Sequence, residues 1–169
     1  MKVLIMSDSH GNKELVTTVK ERHSEEVNAM IHCGDSELPK NSSEMNDFLA
    51  VRGNCDYDTL YPEVLVEDIE QTRFLITHGH LHQVKTTLMP LKYKAEEDNA
   101  NVVCFGHSHI AGAEMVDHVL FINPGSILLP RMTTKKTYVI LEVTEKEYIV
   151  HYYNDLGDIV QSHTFTKHE

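Results

Sequence analysis

A mixed α/β layer fold, with two β-sheets packed face to face and helices outside, is what this 169-residue sequence predicts. Three observations carry the prediction. Short apolar runs alternate with a helical pattern up to about residue 56, strand-like segments follow one another too closely for helical crossovers from Glu63 onward, and polar clusters sit just past apolar runs. Strands joined through helices run parallel with right-handed crossovers, whereas closely spaced strands pair antiparallel. Ligands of parallel sheets bind outside the carboxyl ends of the strands, so the placement of the polar clusters points to a site.

Taken in order, KVLIMSD reads as a buried strand running into a loop. Asn12 to His23 sets Leu15, Val16 and Val19 on one helical face with Lys20, Glu21 and Arg22 outward, and Asn12 suits the N-cap. VNAMIHCGD repeats the pattern of an apolar strand entering Gly and Asp. A short helix is expected around Ser43 to Leu49, then a brief strand in AVRGNCD. EVLVEDIE and TRFLITHGH form an antiparallel pair. MPLKYKAEED supplies a helix within Thr86 to Asp98, with Pro90 tolerated in its first turn. NVVCFGHSH is a short buried strand leading into a histidine pair. HVLFINPGS, KTYVILEV, EYIVHYY and IVQSHTF read as antiparallel strands split by turns such as NDLGD. No linker rich in Gly, Ser or Pro divides the chain, so one domain is expected over residues 1–169.

A hydrophobic share of 41% and a charged share of 24% suit a soluble globular protein. The net charge of −11 and only four arginines argue against a grip on long nucleic acid, which needs clustered Lys and Arg. An acidic chain still binds phosphate where cations neutralise the site locally. The first apolar run stops at Met6, too short for a signal peptide, and no stretch approaches the roughly 18 apolar residues of a membrane span. A cytoplasmic protein without membrane contact is therefore expected. Cys33, Cys55 and Cys104 form no CxxC pair, and Cys33 and Cys104 read as small buried residues in a reducing compartment.

The chemistry lies in five short motifs. Asp8 and His10 alternate in SDSHG, where an N-cap Asp and a solvated loop His would be the ordinary reading. Asp35 in HCGDS is by itself a Gly-Asp turn, although its two oxygens suit it to bridge two cations. Asn54 in GNCD is by itself an Asn turn, and its neutral amide oxygen is a ligand that adds no charge. His78, His80 and His82 alternate in THGHLH, and His107 and His109 stand two apart in GHSH. Neutral imidazole is the common ligand of borderline transition metals. Capping of polar strand ends would not require histidines and carboxylates all to follow apolar strands, so the set reads as a metal centre. Asp8, His10, Asp35, Asn54, His78, His107 and His109 are too many ligands for one four-coordinate zinc. With Asp35 shared they divide into two sites, and two cations about 3.5–4 Å apart clamp in-line displacement at phosphorus. A Rossmann GxGxxG after the first strand and a P-loop GxxxxGK[ST] are both absent.

The ordered series SDSHG, HCGD, GNCD, THGH, GHSH and NPGS resembles the calcineurin-like metallophosphoesterase superfamily over essentially the whole chain. Its length and C-terminal strands look like those of the small bacterial and archaeal phosphodiesterases. The resemblance implies a β-sandwich flanked by helices, with Asp8, His10 and His109 on a first metal, Asn54, His78 and His107 on a second, and Asp35 bridging. It further implies attack by a metal-bridging hydroxide on a small or nucleotide-like phosphodiester, with Asp35, Asn54 and His78 central to that mechanism. Two divalent ions are implied, Mn first, with Ni, Fe, Co and Zn compatible. The loop Asn123 to Ser126 is implied to support the site, and His80 to support it or contact phosphate.

One departure concerns the leaving-group acid. Many members carry His directly after the metal-binding Asn, and here that position is Cys55, a poor acid near neutral pH. Asp56 then loses its usual role of orienting that His and is left to stabilise the loop. Two alternatives accompany the diesterase reading. One is a phosphomonoesterase, and the other is a non-catalytic scaffold of this fold, as in the small subunit of the eukaryotic retromer coat. The complete ligand set favours an enzyme. Oligomeric state stays open, with a homo-oligomer compatible. His32 is expected in packing, and His23, His118, His151, His163 and His168 at scattered surface or strand positions.

Overall fold

The computed structural model describes residues 1–167, which fold into two sheets with a helix on each outer side. The first sheet holds β1 (Lys2–Met6), β2 (Ala29–His32), β3 (Phe48–Ala50), β9 (Thr137–Val143), β10 (Glu147–Asn154) and β11 (Ile159–Thr166), in the order β11-β10-β9-β1-β2-β3. The second holds β4 (Val64–Ile69), β5 (Thr72–Thr77), β6 (Val102–Cys104), β7 (Gly112–Val116) and β8 (Val119–Asn123), in the order β4-β5-β6-β8-β7. Helix α1 (Lys13–His23) joins β1 to β2, and α2 (Met89–Glu97) lies between β5 and β6.

Strand periodicity sorts the side chains into layers. Val3 and Ile5 of β1, Phe74 and Ile76 of β5, and Leu120 and Ile122 of β8 meet in one buried cluster between the sheets. Their alternates face outward: Leu4 and Met6 join Val16 and Val19 of α1, and Leu75, Val103 and Phe121 join Leu91 and Ala95 of α2. The Asn12 side chain accepts from the Leu15 N–H at 3.0 Å and caps α1 as the sequence predicts. Pro90 falls in the first turn of α2, where its missing N–H costs nothing.

The helix expected at Ser43 to Leu49 is absent. Turns with i→i−3 bonds occupy the segment (Ser42 to Pro39, Met45 to Ser42, Phe48 to Met45), and β3 begins at Phe48, earlier than the AVRGNCD strand would place it. Burial of Leu38, Met45 and Phe48 against β1 and α1 pins these turns, and the Lys20 ammonium ties down the Ser43 carbonyl at 2.8 Å. Strand β7 was not legible in IAGAEMV, whose Gly and Ala have weak strand preference; antiparallel pairing with β8 supplies it. Strand β8, read as antiparallel, is so toward β7 but runs parallel to β6.

His23 is a further correction. It is buried at the end of α1, where Nε2 meets the Tyr138 hydroxyl at 2.7 Å and Nδ1 meets Glu26. His168 lies outside the described residues. Among the described residues no helix is long and apolar enough to cross a membrane. The three cysteines are free, with Cys33 and Cys104 buried as expected.

Strands β1, β2 and β3 run parallel in the first sheet, and β5, β6 and β8 run parallel in the second. Loops leaving the carboxyl ends of these six strands carry every candidate ligand.

Candidate metal centre

The first sheet supplies Asp8 and His10 after β1, Asp35 after β2 and Asn54 after β3. The second supplies His78 after β5 and both His107 and His109 after β6. Five of these seven residues have left-handed backbones: Asp8 (φ 54°), His10 (43°), Asp35 (55°), His107 (68°) and His109 (60°). That conformation costs a residue bearing a Cβ on the order of 1 kcal/mol. Its repetition at candidate ligands means the surrounding fold imposes it to aim side chains inward.

Three groups of donor atoms converge: Asp8 with His10 and His109; Asp8 with Asp35 and His78; and His10 with Asp35 and Cys55. Asp8 Oδ1 lies 3.1 Å from His109 Nε2 and 3.8 Å from both His10 Nε2 and His78 Nε2. His78 Nε2 lies 3.1 Å from Asp35 Oδ2 and 3.0 Å from Asn54 Oδ1. His10 Nε2 faces His109 Nε2 at 3.2 Å. His107 is brought beside the others but joins none of the three groups. Its ring meets that of His78 edge to face and that of His80 at a tilt, with centroids 5.0 and 6.1 Å away, and its backbone N–H donates to Asp8 Oδ2 at 3.2 Å.

The hydrogen-bond partners test whether a cation fits. His78 Nδ1 faces the Cys33 carbonyl at 2.8 Å, and His109 Nδ1 the Leu129 carbonyl at 2.7 Å. Carbonyls accept only, so each Nδ1 carries the proton and each neutral ring turns its Nε2 lone pair inward. The His78 lone pair then meets two oxygens, the His109 lone pair meets Asp8 and His10, and Asp8 Oδ1 is buried without a hydrogen-bond partner. Converging lone pairs repel unless a proton or a cation lies between them, so the donor set fits divalent metal. Without metal, protons do that work. Burial opposes ionisation of His78, but its bond to Asp35 and the Asp8 charge raise its pKa above the ordinary value. The bond to Asp8 raises that of His109. Burial would push the Asp8 carboxyl up, yet His109 and His78 hold it below its usual value, and against the same opposition from burial His78 lowers that of Asp35.

Residues not singled out as ligands hold the loops in place. Asp56 accepts from the backbone N–H groups of Asp35 (2.9 Å), Gly53 (2.7 Å) and Glu37 (2.8 Å), locking the β2 and β3 loops together. This is the loop-stabilising role expected of it. Asn123 donates to the Gly106 carbonyl and the Ser108 hydroxyl, and Ser126 donates to the Asp8 carbonyl at 2.8 Å, so NPGS does brace both ligand loops. Glu37, which sequence reasoning missed, stands 3.6 Å from His10 Nδ1. Also missed were Gly53 and Gly106: a Cβ at the first would overlap Asp35, and one at the second would run into Ser7 and Asp8. Their only sequence signal was a Gly directly before each ligand.

His80 lines up beside His78, with ring centroids 5.4 Å apart, and its Nδ1 is buried without a partner. His32 is fully buried, accepts from the Gly34 N–H and meets the Ser9 hydroxyl at 2.9 Å; burial pushes its pKa down to about 4. Cys55 faces the centre, and burial together with the Asp35 charge pushes its thiol up to about 11.

Residues 1–146 match the model of the calcineurin-like phosphoesterase superfamily domain. The chain belongs to that superfamily. It is 45% identical over 161 residues, 95% of each chain, to the probable metallophosphoesterase YsnB of Bacillus subtilis. It is 32% identical over 167 residues to a phosphodiesterase of Methanocaldococcus jannaschii, covering 88% of this chain and 96% of the relative. The crystal structure of a predicted phosphoesterase from Streptococcus pneumoniae matches with a TM-score of 0.95 at 33% identity, over 98% of this chain and 97% of that one. The donor clusters and the superfamily together make the chain a metal-dependent phosphoesterase with a candidate binuclear divalent-metal centre.

Proposed function

We propose that the chain is a phosphodiesterase acting on a small or nucleotide-like diester, with Mn²⁺ as the favoured ion and Ni²⁺, Fe²⁺, Co²⁺ or Zn²⁺ as compatible ones. One observation carries the diester preference: the ligand motifs SDSHG, HCGDS, GNCD, THGHLH and GHSH contain no Lys or Arg. Bound cations are then the main positive charge at the centre. They suit the single negative charge of a diester and leave no dedicated partner for the second charge of a monoester. The phosphodiesterase of Methanocaldococcus jannaschii, a full-length relative, supports the same reading.

In this proposal Asp8, His10 and His109 hold one ion, Asn54, His78 and His107 the other, and Asp35 is shared. When bound, the ions supply Lewis acidity toward the phosphoryl oxygens and lower the pKa of water. The chain's own residues do the positioning. The Cys33 and Leu129 carbonyls fix the tautomers of His78 and His109, and Asp56 holds the loop that presents Asp35 and Asn54. Cys55 stays a neutral thiol through neutral pH, because its pKa lies near 11. Protonation of the leaving group therefore falls to solvent, or the substrate carries an ester group stable enough to leave without it. The cytoplasm is the proposed compartment, in keeping with free buried thiols.

The test is hydrolysis of bis-p-nitrophenyl phosphate and p-nitrophenyl phosphate with Mn²⁺. The proposal expects metal-dependent turnover with clear preference for the diester. Absence of turnover with any of the five metals would favour a scaffold, and preference for the monoester would overturn the substrate class.

A further inference from the structure

Behind the histidine loop lies a cavity of about 510 Å³, within the size range of small-ligand pockets. Phe105, Phe121, Val84 and Leu88 give it an apolar lining, and Lys85, Arg131 and Glu114 are the charged residues on its walls. It borders the loop that carries His107 and His109. Ser108 lines the cavity, while its neighbours His107 and His109 are candidate ligands. Successive Cα atoms are about 3.8 Å apart, which puts the Ser108 edge of the cavity within one residue of two candidate ligands.

The charges are ordered along the sheet. Arg131 is tied to the loop by its backbone N–H, which donates to the His109 carbonyl at 2.9 Å. Lys85 follows Val84, whose side chain packs against Gly79, the neighbour of the candidate ligand His78. Both cations thus lie at the metal end. Glu114 lies deeper: Gly112 of β7 pairs with Asn123 at the carboxyl end of β8, whereas Glu114 pairs with Phe121, two residues further along. Two strand residues span roughly 6.6 Å. Arg22, Arg52 and Arg73 all have side-chain hydrogen-bond partners, but among the described residues the Arg131 guanidinium has none. In a chain with 26 acidic residues, a cation left unpaired beside an apolar cavity suits an anionic or planar ligand.

We propose that this cavity takes the base of a nucleoside phosphate ester whose phosphate lies at the metal centre. The aromatic and aliphatic walls accept a flat ring, Arg131 covers it with its planar guanidinium, and Glu114 accepts from an N–H on the base edge. This rests on the phosphodiesterase reading and narrows its substrate to nucleotidyl diesters rather than alkyl ones.

Gly112 provides the test, since a Cβ there would meet nothing within 4 Å and its backbone is an ordinary strand. Gly112→Phe fills the cavity without touching a ligand and raises strand preference. Binding of AMP and of ribose 5-phosphate, which share the phosphate and differ by the base, is measured by calorimetry on the Mn²⁺-loaded chain. The wild type is expected to bind AMP at least about tenfold tighter, base stacking being worth about that factor or more. Gly112→Phe should abolish the difference. Arg131→Gln, an exposed position that holds nothing, should reduce it several-fold and guards against misfolding of the first variant. Equal affinity of the wild type for both probes, or a preference for AMP that survives Gly112→Phe, would overturn the proposal. Hydrolysis of bis-p-nitrophenyl phosphate by the wild type reports separately on the phosphodiesterase reading.

Discussion

The two sheets contribute unlike halves to the centre. From the first come the oxygen donors Asp8, Asp35 and Asn54, with His10 as their one imidazole; from the second come imidazoles alone, His78, His107 and His109. In the proposed assignment each ion draws on both halves: Asp8 and His10 join His109 at one, and Asn54 joins His78 and His107 at the other. The halves meet only because Val3, Ile5, Phe74, Ile76, Leu120 and Ile122 pack the sheets together. On that assignment, cation binding links the two sheets as well as building the centre.

The largest break in this pairing should come from Asp8, which belongs to two of the three converging groups and is fully buried. Asp8→Ala should cut diesterase turnover by well over 10²-fold, beyond what losing a supporting contact costs. Steady-state rates at saturating Mn²⁺ measure this, and a loss under tenfold would remove Asp8 from the centre. Asp56 acts one step back, by holding three backbone N–H groups. Asp56→Ala should weaken Mn²⁺ binding by about 10–100-fold, read by titration of free Mn²⁺.

The proton comparison is gentler. The pKa values of His78 and His109 are raised above 6.5 by Asp35 and Asp8. In the metal-free chain the stabilisation from these protonated pairs is complete below the unfolded value and is lost as pH rises through the raised folded values. A metal needs both Nε2 atoms free, so its affinity changes in the opposite sense and strengthens as pH rises through that window. Titrations between pH 6 and 8.5 should show this together with proton release, and a flat profile would contradict it. The smallest effect belongs to Cys55: a thiol near 11 supplies neither thiolate nor strong acid, so Cys55→Ser should alter turnover by less than about threefold.

Much of this arrangement was legible in the sequence. Apolar runs ending in SDSHG, HCGD, THGH and GHSH gave both the strands and the ligand types, because strand burial and metal donors each demand particular residues. What stayed hidden depended on contact through space. Ser43 to Leu49 looked helical because Leu38, Met45 and Phe48, which hold its turns, declare their partners only in the fold. Gly112 to Val116 went unassigned because only its neighbour β8 makes it a strand. Glu37, Gly53 and Gly106 carry no ligand signal of their own, and their roles follow from how closely Asp8, His10 and Asp35 approach them. The left-handed backbones at the ligands are likewise imposed by the loops around them.

Asp35 is where the two halves should join, since it meets His78 of the second sheet directly and shares a converging group with His10 of the first. Two neighbouring divalent ions repel, and a shared carboxylate offsets that repulsion. Asp35→Asn keeps the size and removes the charge. Elemental analysis of metal per chain, alongside the diesterase rate and circular dichroism, tests the binuclear centre most directly. The account predicts about two ions in the wild type, one or fewer in Asp35→Asn, a fall in rate of at least about 10²-fold, and an unchanged fold. Two tightly held ions and near wild-type turnover in Asp35→Asn would contradict it.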